Sequence, residues 1–346
     1  MQRLVTAAFV FAFAGAAHAA DPGCTWQQDD PNDQVGMSRT QTPAKALSSI
    51  QLVRTGEIHR LAHVLDEVTL GTPPFGRVFD VTMVPFSFPD LEDPNSQHFN
   101  SGGIQASIGQ IATQFDGLGH AGHDMGYYNC FTPDEVGPDE LGRLDKLGVE
   151  NVKPFFTRAV LLDFVRHSSA PKITVDGREM LADSYTITME NVNEVLAAQG
   201  VEPPSEGDVA LFYTGWDSLF GFDNERHFFS PGPGLEVAEW LAGQKVAMLG
   251  TDTQHSEAAV EGRSTELTEN DDLMGAEFGF IFNHVHFLLI TQHGIHLMEW
   301  MLLDELATAM DADAGSGASP YEVLFIYAPL RIKGLGGAPG NAIAVR

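Results

Sequence analysis

The chain has 346 residues, with 47 acidic against 19 basic side chains and a formal net charge of −28. Phosphate backbones are bound by clustered cations, and the chain contains no run of Lys or Arg, so a nucleic-acid partner is excluded. The acidity reads as a soluble, self-repelling surface, and a mature chain of this size is long enough to bury a substantial core.

Taken in chain order, Gln2 and Arg3 give a short positive start. Leu4 to Ala14 is apolar except for Thr6, and Ala17-His18-Ala19 offers small residues where a signal peptidase reads. This is the pattern of a secretory signal peptide over residues 1–20. The run is too short to span a bilayer, which takes about 20 residues, and no later segment is long and apolar enough to do so. The expected location is periplasmic or secreted. Cys24 and Cys130 would then lie where disulfides persist, but sequence alone does not bring them within bonding distance. Residues 21–49 are polar and rich in Asp, Gln, Pro and Thr, and are expected to form an extended lead-in outside the core. Residues 50–346 are expected to form one domain.

Residues 51–130 carry mainly β and turn signals. Arg158–Phe164 is an apolar run of strand length. Thr188 is set to cap a helix that runs to Gln199, with Val192, Val195 and Leu196 on its apolar face and Gly200 as its stop. Asp208–Tyr213 reads as a strand, with a loop opening at Gly215 and Trp216. A helix is expected over Leu235–Ala242, a strand over Lys245–Leu249, and a last long helix from about Gly294 to Met310. After a small-residue loop over 311–319, Tyr321–Tyr327 gives a final strand. No internal repeat is visible. The alternation of strand and helix argues for an α/β fold.

The densest chemical cluster is Gln110-Ile-Ala-Thr-Gln-Phe-Asp-Gly-Leu-Gly-His120, followed by His123 and Asp124. Residues two apart on an extended segment share a face. Gln110, Gln114 and Asp116 would then converge, as a divalent metal with oxygen and nitrogen donors requires. The competing reading is a glycine-rich turn in which Asp116 caps backbone amides. The second cluster runs from His284 through His286, His293 and His296 to Glu299. A carboxylate among Leu297, Met298, Trp300 and Met301 is costly unless paired with a metal or a cation, which favours Glu299 as a ligand. His293 and His296 read better as surface or core-edge groups. A third segment, Gly250–Glu257, follows a strand. There Asp252 and His255 either support ligands or substrate at a strand C-terminus, or Thr251 and Asp252 cap a helix. Phe115, Tyr127, Tyr213 and Trp216 are candidates either for an aromatic substrate pocket or for core packing. The G-x-S-x-G elbow, H-E-x-x-H and the P-loop are all absent.

These residues resemble the cyclase family, which includes bacterial kynurenine formamidases and isatin hydrolases. The family motif H-x-G-T-H-x-D-x-P-x-H aligns with Gln110–His120. Thr113, Asp116 and His120 match, and Gln110 and Gln114 stand at the two histidine-ligand positions. Thr113-Gln-Phe-Asp-Gly-Leu-Gly-His120 with Tyr128-Asn129 is similar to a branch with T-Q-x-D-x-L-x-H. Tyr213-Thr-Gly-Trp216, Leu249-Gly-Thr-Asp252, His286–Glu299 and Leu303-Asp-Glu-Leu-Ala307 extend the resemblance over roughly residues 50–330.

The resemblance implies a swivelling β/β/α single domain, a homodimer, a Zn²⁺ or Mn²⁺ centre, and hydrolysis of a C–N bond in an amide, aryl formamide or cyclic amide. By family position Asp116, His286 and Glu299 are metal ligands, Gln110 and Gln114 occupy ligand positions, and His120 is the catalytic acid/base. The substrate is then a small molecule, with Phe115, Tyr127, Trp216, Asp252 and His255 as candidate contacts. Neutral amide oxygens bind transition metals less strongly than imidazole does. One metal rather than two, a harder ion such as Mn²⁺, or loss of activity therefore stay open, as do a lactonase or dehydratase and an exported non-catalytic binding protein on the same scaffold.

Overall fold

The apolar runs Ala159–Leu162, Val209–Phe212 and Val246–Leu249 leave no polar face, and such runs suit strands covered on both sides. All of their residues are buried. They form the centre of a nine-stranded sheet in the computed structural model, which describes residues 24–66, 78–88, 97–122, 126–261, 280–281, 284–314 and 321–346. Numbered in chain order, the strands are β1 (Ile58–Arg60), β2 (Gln114–Asp116), β3 (Phe155–Asp163), β4 (Val209–Tyr213), β5 (Met248–Thr251), β6 (His296–Glu299), β7 (Glu322–Tyr327), β8 (Gly337–Pro339) and β9 (Ile343–Val345). They lie side by side as β1-β9-β7-β3-β4-β5-β6-β2-β8. The neighbours from β3 to β6 are parallel. The flanking pairs are antiparallel. The sheet curls into a half-barrel within one mixed α/β domain, around one main hydrophobic cluster.

Local rules set the helices. Thr188 and Asn191 form a reciprocal capping box at the start of Met189–Gln199, and Gly200 ends the helix in a left-handed turn at φ 61°, a conformation that glycine adopts without steric cost. The helix expected at Leu235–Ala242 runs on to Gln244, and Lys245 at φ 58° closes it. The following strand therefore begins at Met248 rather than Lys245.

Two expectations are corrected. The stretch from Gly294 to Met310 is not one helix: it holds strand β6, a left-handed residue at Trp300 (φ 52°) and a helix over Asp304–Ala312 only. An apolar run of this kind is compatible with either period, and pairing with β5 on one side and β2 on the other decides for the strand.

The lead-in is also more than an extended arm. It forms a 3₁₀ turn at Gly36–Thr40 and a helix at Pro43–Ser49 capped by Thr42. Met37 is part of the core, and Lys45 makes an ion pair with buried Asp208. Cys24 and Cys130 are joined by a disulfide.

Among the described residues, strands Phe79–Phe88 and Gln97–Ala106 pair only with each other, as a separate hairpin. No helix among the described residues is long and apolar enough to cross a membrane. The signal-peptide region, His123 and Asp124, and part of the 311–319 loop lie outside the described residues.

Candidate metal centre

Strand β2 is only three residues long, and its neighbours fix where each side chain points. On β6, Glu299 lies opposite Gln114, Met298 opposite Phe115 and Leu297 opposite Asp116. On β8, Gly337 lies opposite Asp116. A Cβ at Gly337 would stand 2.5 Å from the Gly109 carbonyl oxygen and 3.1 Å from Gln110 Nε2, so glycine lets the backbone approach at this point. Side chains alternate along a strand. Phe115 accordingly turns into the core against Phe155, His296 and Tyr327, and Gln114 and Asp116 share the opposite face.

Asp116 is fully buried. Its Oδ1 accepts a hydrogen bond from Gln110 Nε2 at 2.7 Å and lies 3.9 Å from His120 Nε2. Its Oδ2 has no hydrogen-bond partner and lies 4.0 Å from His286 Nε2. His286 Nε2 is in turn 3.3 Å from Glu299 Oε1. Asp116, His120 and His286 each offer a ligand atom, all within 4.8 Å of one another.

A buried acceptor without a donor costs about 1–3 kcal/mol, more when charged, and a cation removes that cost. Ligands that each sit about 2.0–2.2 Å from one ion lie roughly 3–4 Å apart. The donor set of carboxylate and imidazole, and the orphaned Asp116 oxygen, therefore fit a divalent cation.

The two glutamines also reach the centre. Gln114 Nε2 donates to Glu299 Oε2 at 3.1 Å and to Gln110 Oε1 at 3.3 Å. A chain of amides thus joins the two carboxylates, each amide nitrogen being given to an acid. Glu299 Oε1 accepts from the Ser256 backbone at 2.8 Å. Burial first, and then the charge of Asp116, push the Glu299 carboxyl up to about 7.

His286 Nδ1 meets Glu257 Oε1 at 2.6 Å, and Glu257 Oε2 accepts from the Val285 backbone at 3.0 Å. Burial opposes charge on this imidazole, but its hydrogen bonds to Glu257 and Glu299 outweigh that and raise its pKa well above the ordinary histidine value. A carboxylate on Nδ1 fixes the ring and leaves Nε2 facing the centre, the arrangement usual behind a metal-bound histidine.

Gln110, Gln114, Asp116, His120, His286 and Glu299 are therefore brought together. Of the candidate substrate contacts, Phe115, Trp216 and Asp252 are engaged elsewhere. Phe115 is core. Trp216 fills a small cluster with Met180 and Leu219, and its Nε1 donates to the Leu181 carbonyl. Asp252 spends both oxygens on the Thr214 and Trp216 amides and the Thr214 hydroxyl, which pins the turn after β4. Tyr127 is half-buried, and its carbonyl accepts from Trp26 Nε1. His255 is half-buried, and its carbonyl accepts from the Thr253 hydroxyl. His293 is exposed, and His296 lies in the aromatic core.

Sequence reasoning missed Glu257, although it ended a segment already singled out. A buried glutamate before Ala258 and Ala259 needs a partner, and that was the available signal. It also missed His227 and His63. His227 stacks on Trp300 at 4.5 Å, Phe220 meets Trp300 edge-on, and His63 stacks on Phe220 at 4.1 Å. Trp300 follows Glu299 directly, and its carbonyl accepts from the Thr113 hydroxyl at 2.5 Å. Burial lowers His63 to about 4. Burial, reinforced by the nearby His255 and His63, lowers His227 to about 3. Both are neutral rings at ordinary pH.

The Cyclase family model matches residues 59–258, a span that includes Gln110–His120 and Glu257. No curated protein sequence matches the chain significantly. Among solved structures the chain is similar to a crystal structure described as a novel cyclase, with 25% identity and a TM-score of 0.73 over 93% of this chain and 99% of that one. It shares its fold with isatin hydrolase A from Ralstonia solanacearum, at 19% identity and a TM-score of 0.52 over 88% of this chain and 97% of that one. The figures for isatin hydrolase A from Labrenzia aggregata, bound to benzyl benzoate, are 19%, 0.52, 88% and 98%. The family model covers more than half of the sequence and the fold likeness covers nearly all of it: this chain belongs to the cyclase family.

Proposed function

We propose that the protein is an exported, metal-dependent hydrolase that cleaves the C–N bond of an amide, aryl formamide or cyclic amide. The observation that carries this reading is the buried Asp116 Oδ2, which has no hydrogen-bond donor and faces His286 Nε2 at 4.0 Å. Asp116, His286 and Glu299 would hold a divalent cation, Zn²⁺ or Mn²⁺. When bound, such an ion polarises a carbonyl and lowers the pKa of water to about 7.

The remaining chemistry belongs to the chain's own side chains. His120 is 28% exposed while Asp116 is fully buried, so it is placed to exchange protons with bound substrate and solvent. It takes a proton from the attacking water and returns it to the leaving nitrogen, two steps that a histidine pKa suits. Gln110 and Gln114 hold Asp116 and Glu299 in position through N–H donation. Glu257 orients His286. One fold neighbour, an isatin hydrolase bound to the product analogue thioisatinate, supports a cyclic amide among the substrates to be tried.

Elemental analysis of untagged protein, coupled to a hydrolysis screen of aryl formamides, cyclic imides, isatin-like lactams and lactones, tests this reading. Bound metal with turnover of an amide supports it. Turnover of lactones alone moves the chemistry to C–O cleavage. The second reading, an exported binding protein without catalysis, is favoured by the glutamine amides, which engage carboxylate oxygens that would otherwise face a cation. Protein that retains no transition metal and gains none on addition of Zn²⁺ or Mn²⁺ would establish the second reading in place of the first.

A further inference from the structure

Strands Lys172–Val175 and Arg178–Leu181 form a small hairpin of their own. Asp176 at φ 48° and Gly177 at φ 77° make its two-residue turn, the tight kind that suits the twist of paired strands. The register sets Val175 opposite Arg178 and Ile173 opposite Met180. Side chains alternate along a strand, so these four share one face. Met180 is buried on that face with Trp216 and Leu219, and Ile173 and Val175 pack against them. Arg178 is thereby turned over this cluster, where it lines a cavity of about 270 Å³ together with Asp176, Leu219, Phe220 and Phe222. Acidic side chains outnumber basic ones by 47 to 19, and Arg39, Arg143, Arg158, Arg166, Arg226 and Arg346 each pair with a carboxylate. Arg178 has no such partner among the described residues. Phe222 is 63% exposed. Phe220 meets Trp300 edge-on at 4.8 Å, and Trp300 follows Glu299, so two rings link the cavity to the metal centre.

We propose that this cavity is a second ligand site, which holds the ring-opened product of a cyclic aryl amide: an aromatic ring that carries a carboxylate for Arg178 and an amine for Asp176. A guanidinium binds a carboxylate through two parallel N–H donors. A carboxylate such as Asp176 accepts from the N–H groups of an amine, and Phe220 and Phe222 offer ring faces to an aromatic ligand. The volume lies near the lower end of small-molecule sites, which run from about 300 to 1,000 Å³, and suits a single ring. The origin of the ligand rests on the hydrolase reading above. In that reaction the acyl C–N bond breaks, the hydroxyl of water goes to carbon, its remaining proton goes to nitrogen, and the new acid gives its proton to solvent. Opening a cyclic amide leaves both new groups on one molecule, matched to both charged residues of the cavity. An aryl formamide releases formate and an amine separately, and neither fragment engages Arg178 and Asp176 together.

The test is isothermal titration calorimetry of the full chain as purified, with 2-aminobenzoate, benzoate, aniline and phenylalanine as probes. Wild type should bind 2-aminobenzoate about tenfold more tightly than benzoate or aniline, the scale of one added hydrogen bond to a charged group. Arg178→Gln should weaken that binding about tenfold or more, the scale of a lost charge-assisted pair, and Arg178→Lys should recover part of it. Asp176→Asn, in which asparagine tolerates the left-handed turn, should abolish the preference for 2-aminobenzoate over benzoate. Circular dichroism of the three variants should match wild type. Absence of binding, binding untouched by Arg178→Gln, which would put the probe on the metal centre, or phenylalanine bound more tightly than 2-aminobenzoate would each overturn the proposal. Binding is read without turnover. A chain that binds 2-aminobenzoate through Arg178 but cleaves no amide keeps the site and loses the hydrolase reading, whereas one that cleaves cyclic amides without such binding keeps the reaction and loses the site.

Discussion

His120 and His286 flank Asp116 from different elements, and their surroundings assign them different tasks. His286 is buried and held by Glu257 and Glu299, whereas His120 is partly open. Replacing His120 by Ala should lower turnover about 10²–10⁴-fold while leaving bound metal unchanged. Parallel rate and metal measurements check this, and undiminished turnover removes His120 from the mechanism. Glu257 meets His286 at Nδ1, while Nε2 of the same ring faces the centre, so it acts through the imidazole. Glu257→Gln keeps the shape but loses the charge that fixes the imidazole. Metal affinity, read by chelator competition, should fall about 10–100-fold, and an unaltered affinity would mean that His286 needs no such support.

At the scale of elements, the three-residue strand β2 works because β6 and β8 hold it on both sides. Its alternation separates a core residue, Phe115, from two site residues, Gln114 and Asp116. The pattern of alternation was legible in the sequence, but which face was the core was not, so Phe115 stayed open between a substrate pocket and core packing. The turn Asn224–Phe229 delivers His227 onto Trp300, next to Glu299. His227 titrates near 3 in the folded chain against 6.5 for the ordinary residue, so the unfolded chain binds its proton first on acidification. Its contribution to stability is complete above about pH 6.5 and is lost progressively as pH falls toward 3. At pH 4.5 the loss amounts to about 2–3 kcal/mol. His227→Phe keeps the ring stack without the titration, so the drop in urea midpoint between pH 7 and pH 4.5 should shrink in that variant. An equal drop in both proteins would place the acid sensitivity elsewhere.

At the scale of the molecule, the lead-in acts as a strap. The Cys24–Cys130 bridge spans 106 positions, Met37 enters the core, and Asp33 accepts from the Tyr128 hydroxyl at 2.9 Å. Cross-linking a loop of that length removes much chain entropy from the unfolded state, and native disulfides typically contribute about 2–4 kcal/mol. Urea titration with and without reductant should show a loss of that size, reproduced by Cys24→Ser. An unchanged midpoint would mean that the strap holds without its bridge. Composition gave no sign of this role, because a polar segment can be anchored by a few specific contacts while remaining polar overall.

The sequence by itself determined what short-range rules govern. These are the Thr188 and Gly200 helix signals, the buried strands over 158–163 and 209–213, and the shared face of Gln114 and Asp116 on one extended segment. Tertiary structure alone decided that Glu299 stands opposite Gln114, 185 positions away, that Glu257 backs His286, and that the run after Gly294 is a strand. Such contacts depend on sheet order and register, which emerge when distant strands compete for the same hydrogen bonds and the same core, and no local pattern of residues encodes that outcome.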